Sequence, residues 1–413
     1  MAVVSLKCQP DCRNFWQQRI QLNLTYWQSY LVQNSADTTV LEREWQAIVR
    51  AILLGLDLPA AWPAVFQLID DFSNFMERRG YWDVWQSVLH RALPAATQAD
   101  EITLSVLLAR LHQRQGQVKP MIASCRRTIR LARQAGNRYD LARACSNLGY
   151  HFIEQGHWHR GEILCCYALE IFEALNSDHG RAHTENHLGI LYFRRQLWER
   201  AEQHLNRACN IWEAMGDTSG LMFGYINLGA LCYEAGRPKE GLRFLQQALA
   251  LAGQMGDVVF AGRIYLNTGI CYRIMGQFNQ AEEYLRRADA TFKRYPSLYW
   301  SGLVLDNLGL LATGRQQWAE AEKQLTLARQ IWSDVGNTHH EIRVLSYLAQ
   351  LELARDEPER ANFWLRQAQQ MLTQVGQTGI YWLLHQKIEK LHREYLAGIH
   401  GEVKKSLAGT DAC

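Results

Sequence analysis

A step of 40 residues runs through most of the chain and limits what it can fold into. The word "NLGYHFIEQG" at 147–156 returns as "NLGALCYEAG" at 227–236 and as "NTGICYRIMG" at 267–276. Its glycine stands at Gly149, Gly189, Gly229, Gly269 and Gly309, with Ala349 next in register. A second column reads Ala168, Ala208, Ala248, Ala288, Ala328 and Ala368, and a third reads Leu205, Leu245, Leu285, Leu325 and Leu365. Turn residues keep the same step at Gly136, Asn176, Gly216, Gly256, Pro296, Gly336 and Gly376. Four columns in one register mark an internal repeat, which governs every local reading that follows.

Each unit carries two helical patterns. In "RIYLNTGICYRIMG" (263–276) apolar and small residues recur every three or four positions, the helical period. Gly276 ends that helix, and "QFNQAEEYLRRADATFKRY" (277–295) opens the second. Gly269 and Ala288 let two backbones approach closely while Tyr272 and Leu285 fill the space around them. One helix pair cannot bury its apolar stripe, but stacked pairs bury it against one another. The expected fold is therefore all-α: a right-handed solenoid of stacked antiparallel helix pairs with a concave inner surface.

The grammar L-G-x2-Y, then G, then A-x3-L/F-x2-A resembles the tetratricopeptide repeat, as in "LGILYFRRQLWERAEQHLNRA" (188–208). The usual unit has about 34 residues. The 40-residue units are similar to the long-helix variety found in peptide-sensing bacterial regulators; HEAT repeats share the length but lack this grammar. The match implies seven repeats over 98–377, preceded by a divergent helix pair at 62–97. It also implies a capping helix and tail at 378–413, with 401–413 frayed. The N-terminal segment, 1–61, does not keep the period. Its two helices, around 14–31 and 40–56, resemble the segment that joins the repeat sensor to the nucleotide switch in bacterial STAND-type regulators. No G-x4-GK-[ST] phosphate loop and no winged-helix stretch accompany it.

Composition excludes several function classes. The 413 residues are 48% hydrophobic and 21% charged with 8 prolines, which is a folded chain. A net charge of +3 demands no polyanionic partner, and the basic run at 126–134 reads as a solvated helix face, so no nucleic acid is expected. No apolar run approaches the roughly 20 residues that cross a bilayer, and "MAVVSLKCQP" lacks a signal-peptide pattern. The cytoplasm is the expected compartment. Its reducing conditions suit Cys145, Cys165, Cys166, Cys209, Cys232 and Cys271 as small buried hydrophobes. Cys8 and Cys12 form a lone C-x3-C without a second pair, so no metal and no cofactor are expected.

No catalytic constellation stands out. His157, His159, His339 and His340 fall at inter-helix turns, and no H-E-x2-H or G-x-S-x-G pattern occurs. An enzyme is not expected. Asparagine recurs before the repeat glycine at Asn147, Asn227, Asn267 and Asn307, with His187 and Tyr347 in its place elsewhere. In tetratricopeptide-repeat proteins that hold extended peptides this position faces the groove, and a carboxamide can clasp a peptide N–H and C=O together. One turn earlier stand Arg143, Arg263 and Arg343, whose guanidinium groups suit an acidic segment or a free C-terminus. The same asparagines could instead bond to the adjacent repeat, and the arginines could pair with nearby carboxylates. Trp158, Trp198, Trp318, Trp212 and Trp332 read as inter-repeat packing. The expected function is a non-catalytic scaffold that binds a protein segment or peptide in its groove. The alternative is a ligand- or peptide-responsive sensor of a STAND-like signalling or defence system.

Overall fold

The computed structural model describes residues 10–34, 38–375 and 379–410, with the backbone alone described at 10–13, 380 and 397–410. Cys8 and the Cys12 side chain, the C-x3-C pair, lie outside these. Among the described residues every regular element is a helix. The chain divides into two compact units: residues 1–144 with 253–258, and residues 145–252 with 259–413.

The first unit begins with helices that precede the regular repeats: α1 (Pro10–Asn34), α2 (Thr38–Leu56), α3 (Trp62–Arg78) and α4 (Trp82–Ala92). Their core holds Leu24, Ile48, Ile52, Phe72 and Trp85. Trp85 meets Phe72 edge to face at 5.9 Å and donates its indole N–H to Ser73 Oγ at 3.2 Å. The donor of a large buried ring is thus satisfied. Next come α5 (Gln98–Gln115), opened by a Thr97–Asp100 capping box, and α6 (Val118–Gln134). The boundary between units falls inside α7 (Arg138–Glu154).

The second unit is a regular series. First helices of each pair are α9 (Asp178–Arg194), α11 (Thr218–Glu234), α13 (Val258–Ile274), α15 (Leu298–Gly314) and α17 (Thr338–Ala354). Second helices are α8 (Trp158–Ala174), α10 (Trp198–Met215), α12 (Pro238–Met255), α14 (Phe278–Arg294), α16 (Trp318–Asp334) and α18 (Pro358–Val375). Helix α19 (Ile380–Thr410) closes the stack and continues through most of the segment expected to fray. No proline interrupts that stretch.

Small residues bring the helices of a pair together. Ala208, Ala248, Ala288, Ala328 and Ala368 are fully buried, and Leu205, Leu245, Leu285, Leu325 and Leu365 are at most 1% exposed. Each of the first four leucines sits over the repeat glycine of its own pair. A Cβ added at Gly189, Gly229, Gly269 or Gly309 would stand 2.6–2.8 Å from the facing leucine. Trp212 and Trp332 are buried between repeats, and Trp158 packs against Ile153, Cys165, Leu188 and Leu191. Turns keep a left-handed residue at Gly136, Asn176, Gly216, Gly256 and Gly336.

Two local expectations are corrected. Cys166 is exposed whereas Cys165 is buried, because one residue turns a helix by about 100° away from the packed face. His339 and His340 are not turn histidines but lie in the first turn of α17. His340 is buried and stacks on Trp332 at 4.3 Å, and Asn337 caps the helix by accepting from the His340 N–H.

The leucine-over-glycine contact predicts opposite signs for one substitution at two sites. Gly269→Ala is expected to cost about 1–3 kcal/mol by overpacking against Leu285. Gly253→Ala, in α12 with nothing within 4 Å of the new methyl, is expected to gain about 0.5–1 kcal/mol. Urea unfolding of the two variants checks the pair.

Candidate functional site: a polar trough inside the second unit

One face of the first helices carries positions spaced i, i+4, i+7 and i+11, as in Arg143, Asn147, Tyr150 and Glu154. The second unit repeats this face from Asn147 onward. Its side chains influence one another across several repeats. Glu154 and Arg194, on α7 and α9, act electrostatically on the Tyr299 hydroxyl on α15. Arg194 and Arg343 act on Tyr233, and Glu234 acts on Lys387 of α19. Helices packed at 8–10 Å would separate the ends of a straight four-step stack by about 32–40 Å. Charges are largely screened beyond about 10 Å in solution. The repeats of this unit therefore curl round a shared interior, and these side chains line it.

Tyrosine and arginine dominate the lining. Tyr150, Tyr233, Tyr299 and Tyr347 each keep part of their surface open. Even so, desolvation is the first cause that raises each phenol above its ordinary range. Partial exposure together with strong desolvation means that neighbouring side chains crowd each phenol without covering it. Arg194 spans adjacent repeats to Glu154, donating to both carboxylate oxygens at 3.0–3.2 Å. Arg343 donates to Asp306 at 2.6 Å, and the Trp332 indole donates to the other oxygen of Asp306 at 3.1 Å. Desolvation still holds the Asp306 carboxyl above its ordinary range, because this residue is only 1% exposed.

The sequence-derived residues fall into distinct settings. Asn147 and Asn267 are half-buried and make no side-chain hydrogen bond with other described residues. Asn227 donates to Asn186 Oδ1 of the preceding repeat at 2.8 Å. Asn307 is 8% exposed and donates to the Leu303 carbonyl of its own helix at 2.9 Å. Arg263 lies over the rings of Phe260 and Trp300, at 4.9 and 4.6 Å from their centroids. Arg343 is held by Asp306, and Arg143 belongs to the first unit, where it pairs with Asp140 at 2.6 Å. Where His187 replaces asparagine, the ring stacks on Tyr150 at 4.8 Å and lies 2.9 Å from Ser146 Oγ. Burial lowers its pKa to about 4.

Arg273 and Lys387 were not singled out by sequence. Neither forms an ion pair with a carboxylate among the described residues. Burial lowers the pKa of Arg273, and its Nε has no hydrogen-bond partner. Burial, followed by the Arg343 charge, lowers Lys387 to about 7. The Lys387 ammonium stands 4.2 Å from the Tyr347 ring centroid. Extending the helical face one turn beyond the asparagine column would have located Tyr150, and a second turn Glu154 and Arg194. Lys387 carried no such signal, because the closing helix does not keep the 40-residue register.

Stacked helix pairs around a polar inner face define a helical-repeat protein of the protein-interaction class. Residues 221–293 and 301–374 match the model of the tetratricopeptide-repeat family. No curated protein matches in sequence. Among solved structures, the chain is similar to a Rap protein complexed with competence and sporulation factor. The TM-score is 0.54 at 12% identity, covering 85% of this chain and 99% of that one. It is equally similar to the Rap conjugation gene regulator of plasmid pLS20 in complex with the Phr* peptide, at TM-score 0.54 and 12% identity over 87% and 98%. A STAND protein with a tetratricopeptide repeat sensor from Pyrococcus horikoshii aligns at TM-score 0.53 and 15% identity. That alignment covers 83% of this chain and 54% of the other. At these identities the likeness shows a shared fold. Among the described residues no helix is long and apolar enough to cross a membrane.

The Asp306 node makes a measurable prediction. Asp306→Ala removes the acceptor of both Trp332 and Arg343 and is expected to cost about 2–4 kcal/mol in urea unfolding. Asp306→Asn keeps an acceptor for the indole and is expected to lose less.

Proposed function

We propose that the chain is a non-catalytic interaction scaffold whose second unit holds an extended peptide in the trough. The observation that carries this reading is a set of polar groups on one crowded face without protein partners of the matching kind. Asn147 and Asn267 have carboxamides with no hydrogen-bond partner among the described residues, and Arg273 and Lys387 are cations without a carboxylate in ion-pair contact among those residues, although Glu234 acts on both from a distance. A peptide backbone supplies what the asparagines lack, an acceptor and a donor together. A C-terminal or side-chain carboxylate supplies what the cations lack. The four tyrosines offer apolar rings with polar tips along the same face. Arg263 and Arg343 add fixed positive charge, Asn227 remains reachable beside Asn186, and Asn307 and Arg143 are more fully engaged with their own surroundings.

Affinity selection from a pool of short peptides, prepared with free and with amidated C-termini, tests this. The free-carboxylate pool is expected to be enriched, and Arg273→Gln and Lys387→Met are each expected to weaken capture at least tenfold. Asn147→Ala with Asn267→Ala is expected to weaken both pools. Equal capture by folded variants would remove these residues from the cradle.

The Lys387 amine adds a pH dependence with a definite sign. Its ammonium is present below about pH 7 and is lost above it, so affinity for a carboxylate should fall as pH rises from 6.5 to 8.5. The limit is tenfold per unit for one linked proton. His187, His339 and His340 are held neutral through this window, with pKa values depressed by burial. Lys387→Met should flatten the profile in a fluorescence-polarisation titration.

The likeness over 83% of this chain to a protein with a repeat sensor supports a second reading, in which the occupied trough signals to an effector. Compaction on peptide addition in small-angle scattering would favour it, and an unchanged profile would count against it.

A further inference from the structure

Two histidines and an aspartate converge at the start of consecutive first helices in the second unit. His179 and His183 stand one turn apart on α9, with ring centroids 4.7 Å from each other. Asp217 is the N-cap residue of α11, in the next repeat. One ligand atom from each of the three lies within 4.8 Å of the others. We propose that His179, His183 and Asp217 form a binding site for a divalent transition-metal ion of the zinc class.

The donor set suits that chemistry. Imidazole nitrogens with a single carboxylate favour zinc, cobalt, nickel or copper over magnesium or calcium, which prefer all-oxygen cages. Residues i and i+4 present two imidazoles on one side of a helix, the spacing that lets both reach a single ion. Tetrahedral zinc holds nitrogen and oxygen ligands at about 2.0–2.2 Å. That radius places ligand atoms roughly 3.3–3.6 Å from one another by tetrahedral geometry. Closing from the observed spread takes side-chain adjustment of about an ångström and no change of backbone.

The surroundings support the three ligands. His183 packs edge-on to the buried Trp212 at 5.2 Å, which restrains the ring. Asp217 accepts the Gly220 N–H through Oδ1 at 2.9 Å. That bond orients the carboxylate, one oxygen of which lies within 4.8 Å of the imidazole ligand atoms. His179 is exposed and Asp217 is half-buried, so an ion has an entry path and room for a water as fourth ligand. His183 occupies the column that holds Arg143, Arg263 and Arg343 in other repeats. A bound ion would place positive charge in this repeat where those repeats carry a guanidinium. It would also clip α9 to α11. The site stands independently of the peptide reading.

The test uses the full chain with cobalt(II) and zinc(II) as the probes. Cobalt titration followed by visible absorption should give one ion per chain with the intensity of four-coordinate nitrogen and oxygen ligation, and without thiolate charge-transfer bands. Zinc titration by calorimetry should show the same stoichiometry, and zinc should raise the thermal midpoint reversibly on chelation. His179→Ala, at an exposed position, and Asp217→Asn, which keeps the capping oxygen, should each weaken zinc binding at least tenfold. Absence of binding, thiolate bands that point to the cysteines, or wild-type affinity in both variants would overturn the assignment.

Discussion

The close approach of two helices over a residue without a side chain is the contact on which the second unit depends. Where Leu205, Leu245, Leu285 and Leu325 lie over Gly189, Gly229, Gly269 and Gly309, even a methyl group would intrude. The buried alanine column completes the same seam. Close-packed interiors transmit such a constraint because no slack exists to absorb it. Repeating it at a fixed step fixes the offset between successive pairs, and a fixed offset makes the array curl rather than run straight.

Curling sets the chemistry of the inner face. Tyr150, Tyr233, Tyr299 and Tyr347 are crowded by residues from distant repeats, so groups that would be ordinary on a free helix surface become desolvated. The chain answers part of that cost internally, through Arg194 with Glu154 and Arg343 with Asp306. It leaves Asn147, Asn267, Arg273 and Lys387 without such answers. In a core, by contrast, buried polar groups are paired.

The architecture was legible because period and spacing are properties of the chain alone. Gly269, Ala288 and Leu285 announced a close helix pair before any coordinate, and Trp212 and Trp332 announced inter-repeat packing. Individual side chains were less legible. Asn147, Asn227, Asn267 and Asn307 share one column, yet one bonds to a neighbouring repeat, one to its own helix, and two have no hydrogen-bond partner among the described residues. His340 read as a turn residue and is instead stacked on Trp332. Cys166 read as buried and is exposed, one position from the buried Cys165.

The division has a physical origin. Helix existence, pairing and stacking follow from local periodicity and from the volume of small residues, both written in consecutive letters. Which carboxylate meets which guanidinium depends on how far the array has turned after several repeats. Glu154 and Tyr299 share a space although 145 residues separate them, and Asp217 reaches the histidines of the previous helix pair. Such neighbours are set by the accumulated curvature of the stack, a quantity that no single repeat contains.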